Sequence, residues 1–310
     1  MTRLQIALIL AVLPAGCALQ TEGQKEASTE RRIADATNAF PQRICSVSLA
    51  GDELLSLLVD PERIVCLSAF ADEAEISNAA GQFPSQIPRL TARIEPVLSQ
   101  APDFVLAAQW NDRGFLDLLG RAGIHAEILE EVHEFDGIRD QLIELGRKLG
   151  VSDRASEQVS AFDRKLEALD RALAGLTGYR PSVLAFSHLV VSGERTTVNA
   201  LIRRAGGTNA AAALGVVGHR KLSLEQLLAL DPDVLLLGFD PRESLEALLA
   251  AHPHLATTRA AREGRVIVLA PRYLTTVTPF LADGAWELAR TLHPERFDAV
   301  SRKPPEDSSS

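Results

Sequence analysis

The sequence is short of positive charge, of long apolar runs and of recognisable catalytic signatures. Lys+Arg number 32 against Asp+Glu 41, a formal net charge of −9. Such a chain is a poor binder of nucleic acid or of an anionic membrane surface by charge. No apolar run reaches the ~20 residues that span a bilayer. The three cysteines, Cys17, Cys45 and Cys66, form no CxxC pair, which argues against a zinc ribbon or a thioredoxin-like site. No GxSxG elbow, Walker loop or GxGxxG fingerprint occurs. Gly206-Gly207-Thr208-Asn209 is a Gly-rich turn without a following phosphate-loop lysine. The seven histidines are scattered, and their one close pair is His252-Pro253-His254. A bare-metal centre, which needs clustered His and carboxylates, is not expected, and neither is a cofactor. Aromatics make up only 5%, so those in loops carry more weight.

What remains is globular. Hydrophobic residues are 46% and charged residues 24% of 310, enough chain for one large domain or two ordinary ones. The first seventeen residues read as an export signal: Arg3, the apolar run to Leu13, then Ala15-Gly16-Cys17. The ending resembles a bacterial lipobox, in which Cys17 is lipidated, although Pro14 stands where that pattern prefers Leu. An ordinary cleaved signal or a buried helix are the other readings. Residues 18–40 are small and polar, a flexible tether, and 299–310 read as a disordered tail. Export would place Cys45 and Cys66 under oxidising conditions. They fall at similar depth in two neighbouring predicted strands, Arg43–Leu49 and Arg63–Ser68. A disulfide and two buried free thiols fit equally well.

The body reads as α/β. Predicted strands are Ile44–Leu49, Ile64–Leu67, Phe104–Ala107, Ala126–Leu129, Val183–Phe186, Val234–Leu237 and Val266–Leu269. Several are continuous apolar runs, as in parallel strands buried on both faces. Helical patterns such as Phe115–Ala122 and Leu224–Leu230 alternate with them. The middle differs. Ile138, Leu142, Leu145 and Leu149 share a helix face, with Gly150 as an αL stop. Ser152 or Asp153 can cap a second helix. Its stripe runs through Ala155, Val159, Phe162, Leu166, Leu169, Leu173 and Leu176. A helix over 152–175 would be about 36 Å long. The expected layout is a lobe over 41–150, a connecting helix over 151–178 and a second lobe over 179–298.

An internal echo supports two related lobes. Glu95 to Leu106 and Glu225 to Leu236 both follow E-x-x-L-x-x-x-P-D-x-x-L. Each reads as a short helix, a Pro-Asp turn that breaks it, and a buried strand.

With these residues in place, roughly Pro41 to Pro294 resembles the periplasmic binding proteins of ABC importers for vitamin B12, ferric siderophores and haem. The likeness rests on Arg43-Ile-Cys-Ser-Val-Ser-Leu, Asp52-Glu53-Leu54, Arg63-Ile-Val-Cys-Leu-Ser and Pro102-Asp103-Phe-Val-Leu. It continues through Ala205-Gly-Gly-Thr-Asn209, Leu222-Ser-Leu-Glu225-Gln-Leu-Leu and Pro232-Asp233-Val. The resemblance implies two Rossmann-like lobes with parallel-type sheets, one long connecting helix and a ligand in the cleft. It implies no enzyme activity, a monomer anchored in the cell envelope, and a permease dimer with ATPase subunits as partners. Glu95 and Glu225 take the positions of the glutamates that dock onto the permease. Ser223 and Gln226 also fit a capping box, a purely local role.

Ligands of α/β folds lie beyond the carboxyl ends of strands. Those loops hold Phe70, Trp110, Arg113, His188, Arg272 and Tyr273. The aromatics could stack on a macrocycle or catechols, and the arginines could meet carboxylates or an anionic iron chelate. Tyr273 or His188 could instead ligate haem iron. Trp286 falls in the helical pattern Ala285–Leu292 and reads as core. The expected cargo is an iron chelate, siderophore or haem, followed by a corrinoid. An exported α/β hydrolase, or a sensor lipoprotein on the same fold, is the competing reading.

Overall fold

The computed structural model describes residues 40–187, 190–238, 250, 253 and 255–297. The leader with Cys17, the tether up to residue 39, His188, His252, His254 and the tail from residue 299 lie outside these. Among the described residues no helix is long and apolar enough to cross a membrane.

The amino-terminal lobe is built on five parallel strands: β1 (Ile44–Ser46), β2 (Ile64–Ser68), β3 (Arg89–Leu90), β4 (Phe104–Ala108) and β5 (His125–Leu129), in the order β3-β2-β1-β4-β5. β1 and β4 are wholly buried, as continuous apolar runs demand of central parallel strands. β1 stops earlier than its apolar run because Ser48 caps the helix Leu49–Leu58, its side chain accepting from the Gly51 N–H at 3.1 Å. Asp112 does the same for the helix Arg113–Arg121, accepting from Phe115 N at 3.0 Å. Cys45 pairs in register with Cys66 across β1 and β2, and the two are joined by a buried disulfide with Cα atoms 4.6 Å apart.

The carboxyl-terminal lobe is built on β6 (Ser182–Ser187), β7 (Val190–Ser192), β8 (Thr208–Asn209), β9 (His219–Lys221), β10 (Val234–Leu237) and β11 (Val266–Val268). Its order is β11-β10-β6-β7-β9, with β8 beside β6. This sheet is mixed, which corrects the expectation of two parallel-type sheets. The chain doubles back after β6, so β7 pairs antiparallel with β6 and β9 antiparallel with β7. β10, β11 and β8 keep the parallel sense.

The internal echo is structural. The helices Ile94–Ser99 and Leu224–Leu230 are both followed by a left-handed residue directly before proline, Ala101 (φ 46°) and Asp231 (φ 31°). The aspartate after each proline then holds the first strand of its lobe. Asp103 accepts from the N–H groups of Gln42 and Arg43 at 2.8 and 2.9 Å, and Asp233 accepts from Ser182 N at 2.8 Å.

Two helices join the lobes. Phe135–Leu149 ends on Gly150 in the left-handed conformation (φ 71°), and Ser152–Ala172 follows. The second helix begins behind Val151 with no side-chain cap, so neither Ser152 nor Asp153 has the capping role expected. It has 21 residues, about 32 Å. It ends at Ala172, although Leu173 still packs on the core beyond it. Each helix serves both lobes. Leu142, Leu145, Leu149 and Ala155 sit in the amino-terminal core. Phe135, Ile138, Phe162, Leu166 and Leu169 sit in the carboxyl-terminal core with Leu201, Leu281 and Leu288. Each buried Leu or Phe contributes about 1.5–3 kcal/mol of apolar burial, so the pair is a fastener that neither lobe can release. Trp286 packs on that second core and donates from Nε1 to Lys165 O at 3.0 Å.

Candidate functional site

A cleft of about 490 Å³ opens where β1, β2, β3 and β4 end. Its wall comes from Val47–Ala50, Ser68–Phe70, Leu90–Ala92 and Trp110–Asn111, and Thr275 and Thr276 reach in from the other lobe. A smaller cavity of about 170 Å³ shares Thr275 and is lined by the carboxyl-terminal lobe, including Phe186, Val190, Ser192, His219 and Leu274. The cleft therefore runs between the lobes at the carboxyl ends of both sheets, the expected place in an α/β fold.

Two adjacent buried carboxylates, Asp52 and Glu53, shape this cleft from the helix Leu49–Leu58, Asp52 in its first turn. Asp52 accepts from Ser68 N at 3.0 Å and from the Ser68 hydroxyl. Ser68 Oγ in turn accepts from Phe70 N at 3.2 Å. A buried acid thus fixes the turn that presents Phe70, which is 50% exposed. Burial pushes the Asp52 carboxyl up to about 6, against the opposing hydrogen bonds from Ser68. Glu53 reaches across to the other lobe. Its Oε2 accepts from the hydroxyls of Thr276 and Thr278 at 2.6 and 2.7 Å. Its Oε1 accepts from Asn78 N and Nδ2 at 3.0 and 2.7 Å. Burial raises its pKa too, while these same donors pull it down.

Trp110 stands at the mouth, 63% exposed. Its loop is held by Asn111, whose Oδ1 accepts from Ala108 N at 2.7 Å. Of the ligand residues expected from the sequence, Phe70 and Trp110 line the cleft. Arg113, Arg272 and Tyr273 line neither cavity, which corrects the placement read from their loops. Arg113 opens the helix Arg113–Arg121 and is exposed. Pro271–Thr275 coils into a short helix, and this turns Tyr273 back onto the carboxyl-terminal core. The Arg272 guanidinium lies 4.9 Å from the Tyr273 ring centroid. Arg272 also donates from its backbone N to Glu75 O at 2.9 Å and from its side chain to Ala74 O at 3.2 Å. It is a strut between lobes, not a free cation. His188 lies outside the described residues.

Three cleft features escaped the sequence. Asp52 and Glu53 read only as part of a family likeness, because nothing in the sequence marks a carboxylate as buried. His219 lay in a three-residue strand too short for a periodic signal.

Glu95 and Glu225 are both exposed and both at the second position of their helices. The capping box around Glu225 is present: Gln226 N donates to Ser223 Oγ at 3.3 Å and Ser223 N to Gln226 Oε1 at 3.0 Å. The backbone N–H and the Ser223 hydroxyl near its carboxylate lower the pKa of Glu225.

Comparison with known proteins fits this architecture. The family model for periplasmic binding proteins matches residues 44–273. The chain belongs to the periplasmic binding protein family. Its relatives of known structure include a periplasmic heme-binding protein from Pseudomonas aeruginosa, 29% identical, with a TM-score of 0.70 over 86% of this chain and 95% of that one. The periplasmic heme-binding protein RhuT from Roseiflexus sp. RS-1 is 26% identical, with a TM-score of 0.70 over 82% of this chain and 99% of that one. YvrC of Bacillus subtilis, an ABC transporter substrate-binding lipoprotein, is 20% identical across 94% of this chain and 96% of its own length.

Proposed function

We propose that this chain is the solute-capturing component of an ABC importer, and that its cargo is a large iron chelate, haem before siderophore or corrinoid. The observation that carries the reading is the cleft itself. It is wide, mostly apolar, and flanked by two exposed aromatic side chains, Phe70 and Trp110. Aromatic faces of this kind suit a flat conjugated ring. The heme-binding relatives at 26–29% identity support haem over the other chelates.

Delivery would follow docking. Glu95 and Glu225, one on each related lobe, are neither buried nor held in an ion pair among the described residues. Paired exposed charges fix orientation and speed encounter more than they add affinity, which suits a two-fold permease. Export with lipidation at Cys17 would keep the binder at the envelope.

The test is titration of the protein with haemin, a ferric hydroxamate and cyanocobalamin, followed by tryptophan fluorescence with absorption controls. Saturable quenching by haemin, lost in Trp110→Phe, is expected. A flat response to all three ligands from folded protein would overturn the reading. The Glu95→Ala, Glu225→Ala double variant should abolish uptake and leave affinity unchanged.

A further inference from the structure

The carboxyl-terminal wall of the cleft carries a short polar ribbon whose construction asks for a purpose. β7 and β9 pair antiparallel with Val190 opposite Lys221, Val191 opposite Arg220 and Ser192 opposite His219. Opposed residues of an antiparallel pair share a face, and successive residues alternate. Val191 is fully buried in the core beneath. Val190, Ser192 and His219 therefore form the opposite face, and all three line the smaller cavity. Register puts Lys221 on that same face. The ribbon is tightly seated: a Cβ on Gly193 would stand 2.0 Å from Val216 O, and Gly193 N donates to Gly218 O at 2.9 Å. Yet all three residues of β9 are exposed. They add nothing to the core.

The chemistry of that face is specific. Ser192 Oγ lies 3.0 Å from His219 Nδ1. In the tautomer whose Nδ1–H donates to that hydroxyl, a lone pair is left on Nε2. This is the outer-shell arrangement that orients metal-binding histidines. Among the described residues Nε2 has no partner and Lys221 has no ion pair. The described linings of the two cavities hold no tyrosine, cysteine, methionine or second histidine. Glu53, the one carboxylate there, is committed to Asn78, Thr276 and Thr278.

We propose that His219 binds the ferric iron of the captured chelate through Nε2, with Ser192 orienting the ring and Lys221 pairing with a carboxylate of the same ligand. This rests on the iron-chelate reading above and deepens it. The cargo it selects is a flat, anionic ferric macrocycle with an open axial position. Phe70 and Trp110 on the other lobe supply the aromatic contact, and the ribbon supplies the metal bond. A corrinoid, or a hydroxamate that already saturates its iron, would gain little from such a donor.

The test uses the whole protein and haemin, read by absorption and electron paramagnetic resonance. Wild type should show a nitrogen-ligated ferric haem. His219→Ala should lose that signature and weaken haemin binding by about 100-fold, and Ser192→Ala should weaken it by about tenfold. Lys221→Ala should cost about threefold, with a shallower salt dependence. Added imidazole should restore the wild-type spectrum to His219→Ala, and His219→Tyr should convert it to a phenolate type. Both readouts require a folded cleft, so a collapsed variant cannot imitate success. Wild-type spectrum and affinity in His219→Ala would overturn the His219 assignment and leave the haem reading standing. No saturable haemin binding by wild type would overturn both.

Discussion

β1 and β6 hold corresponding places in the two lobes, and what lies beside each of them differs. On one side the match is close: β4 and β10 follow the same helix, left-handed residue, proline and aspartate. On the other side β1 meets β2, a full parallel strand stapled by the Cys45–Cys66 disulfide. β6 meets a parallel strand of only two residues, β8, and the doubled-back strand β7. The parallel lobe offers the cleft its strand ends, the loops after them and the start of the helix Leu49–Leu58. The mixed lobe offers a strand face, and there lie Ser192, His219 and Lys221. A repeated unit can thus keep its scaffold on one side and diversify its ligand chemistry on the other.

Four measurements would break or sharpen that contrast. The largest effect should come from the bolt between lobes. Thr276→Val with Thr278→Val strips both hydroxyl donors from a buried carboxylate oxygen, and should cost about 4 kcal/mol in denaturant unfolding. An unchanged midpoint would mean that this contact adds nothing to the hold of the helices and of the Arg272 strut. Next, reduction or Cys45→Ser with Cys66→Ser should cost about 3 kcal/mol, the loop-closure value for a sequence separation of 21. It should leave the haemin spectrum intact, because the metal-binding face belongs to the other lobe.

The third concerns pH. A carboxyl whose pKa is raised on folding binds its proton more tightly in the native state, so native stability is fullest below the unfolded pKa and falls as pH rises. For Asp52, raised from 3.8 to about 6, the loss falls between pH 4 and 6 and amounts to about 3 kcal/mol. Glu53 shifts in the same direction. Thermal melts across this window should decline with pH in wild type, and less steeply in Asp52→Asn. The smallest effect comes from the matched aspartates. Asp233 is buried and pairs with Arg259 at 2.6 Å, so Asp233→Ala should cost about 2 kcal/mol. Asp103 is exposed, so Asp103→Ala should cost about 1 kcal/mol. Equal losses would mean the two lobes use this clamp identically.

Much of the scaffold was legible in the sequence. Apolar runs located the long strands, the spacing of Phe162, Leu166 and Leu169 located the connecting helix, and the Pro-Asp echo located the lobe repeat. β3, β7, β8 and β9 were not legible, because two or three residues carry no periodicity and β9 carries no apolar residue at all. The site was legible only at its aromatic edge. Phe70 and Trp110 followed predicted strands by one short loop, so their position could be read. Tyr273 could not, because a single turn of helix after Pro271 decides which way its ring points. Asp52 and Glu53 show the deeper limit. Burial is a property of the finished core, and a carboxylate near the start of a helix normally reads as exposed.

The shared helix pair carries a consequence for how this chain acquires its shape. The larger core of each lobe is completed by residues between Phe135 and Leu169, so neither lobe is a self-sufficient folding unit. As the chain emerges from its amino terminus, the core under the first sheet stays incomplete until the second helix has followed it. Calorimetry should therefore record one cooperative heat absorption for the pair of lobes, not two separate ones.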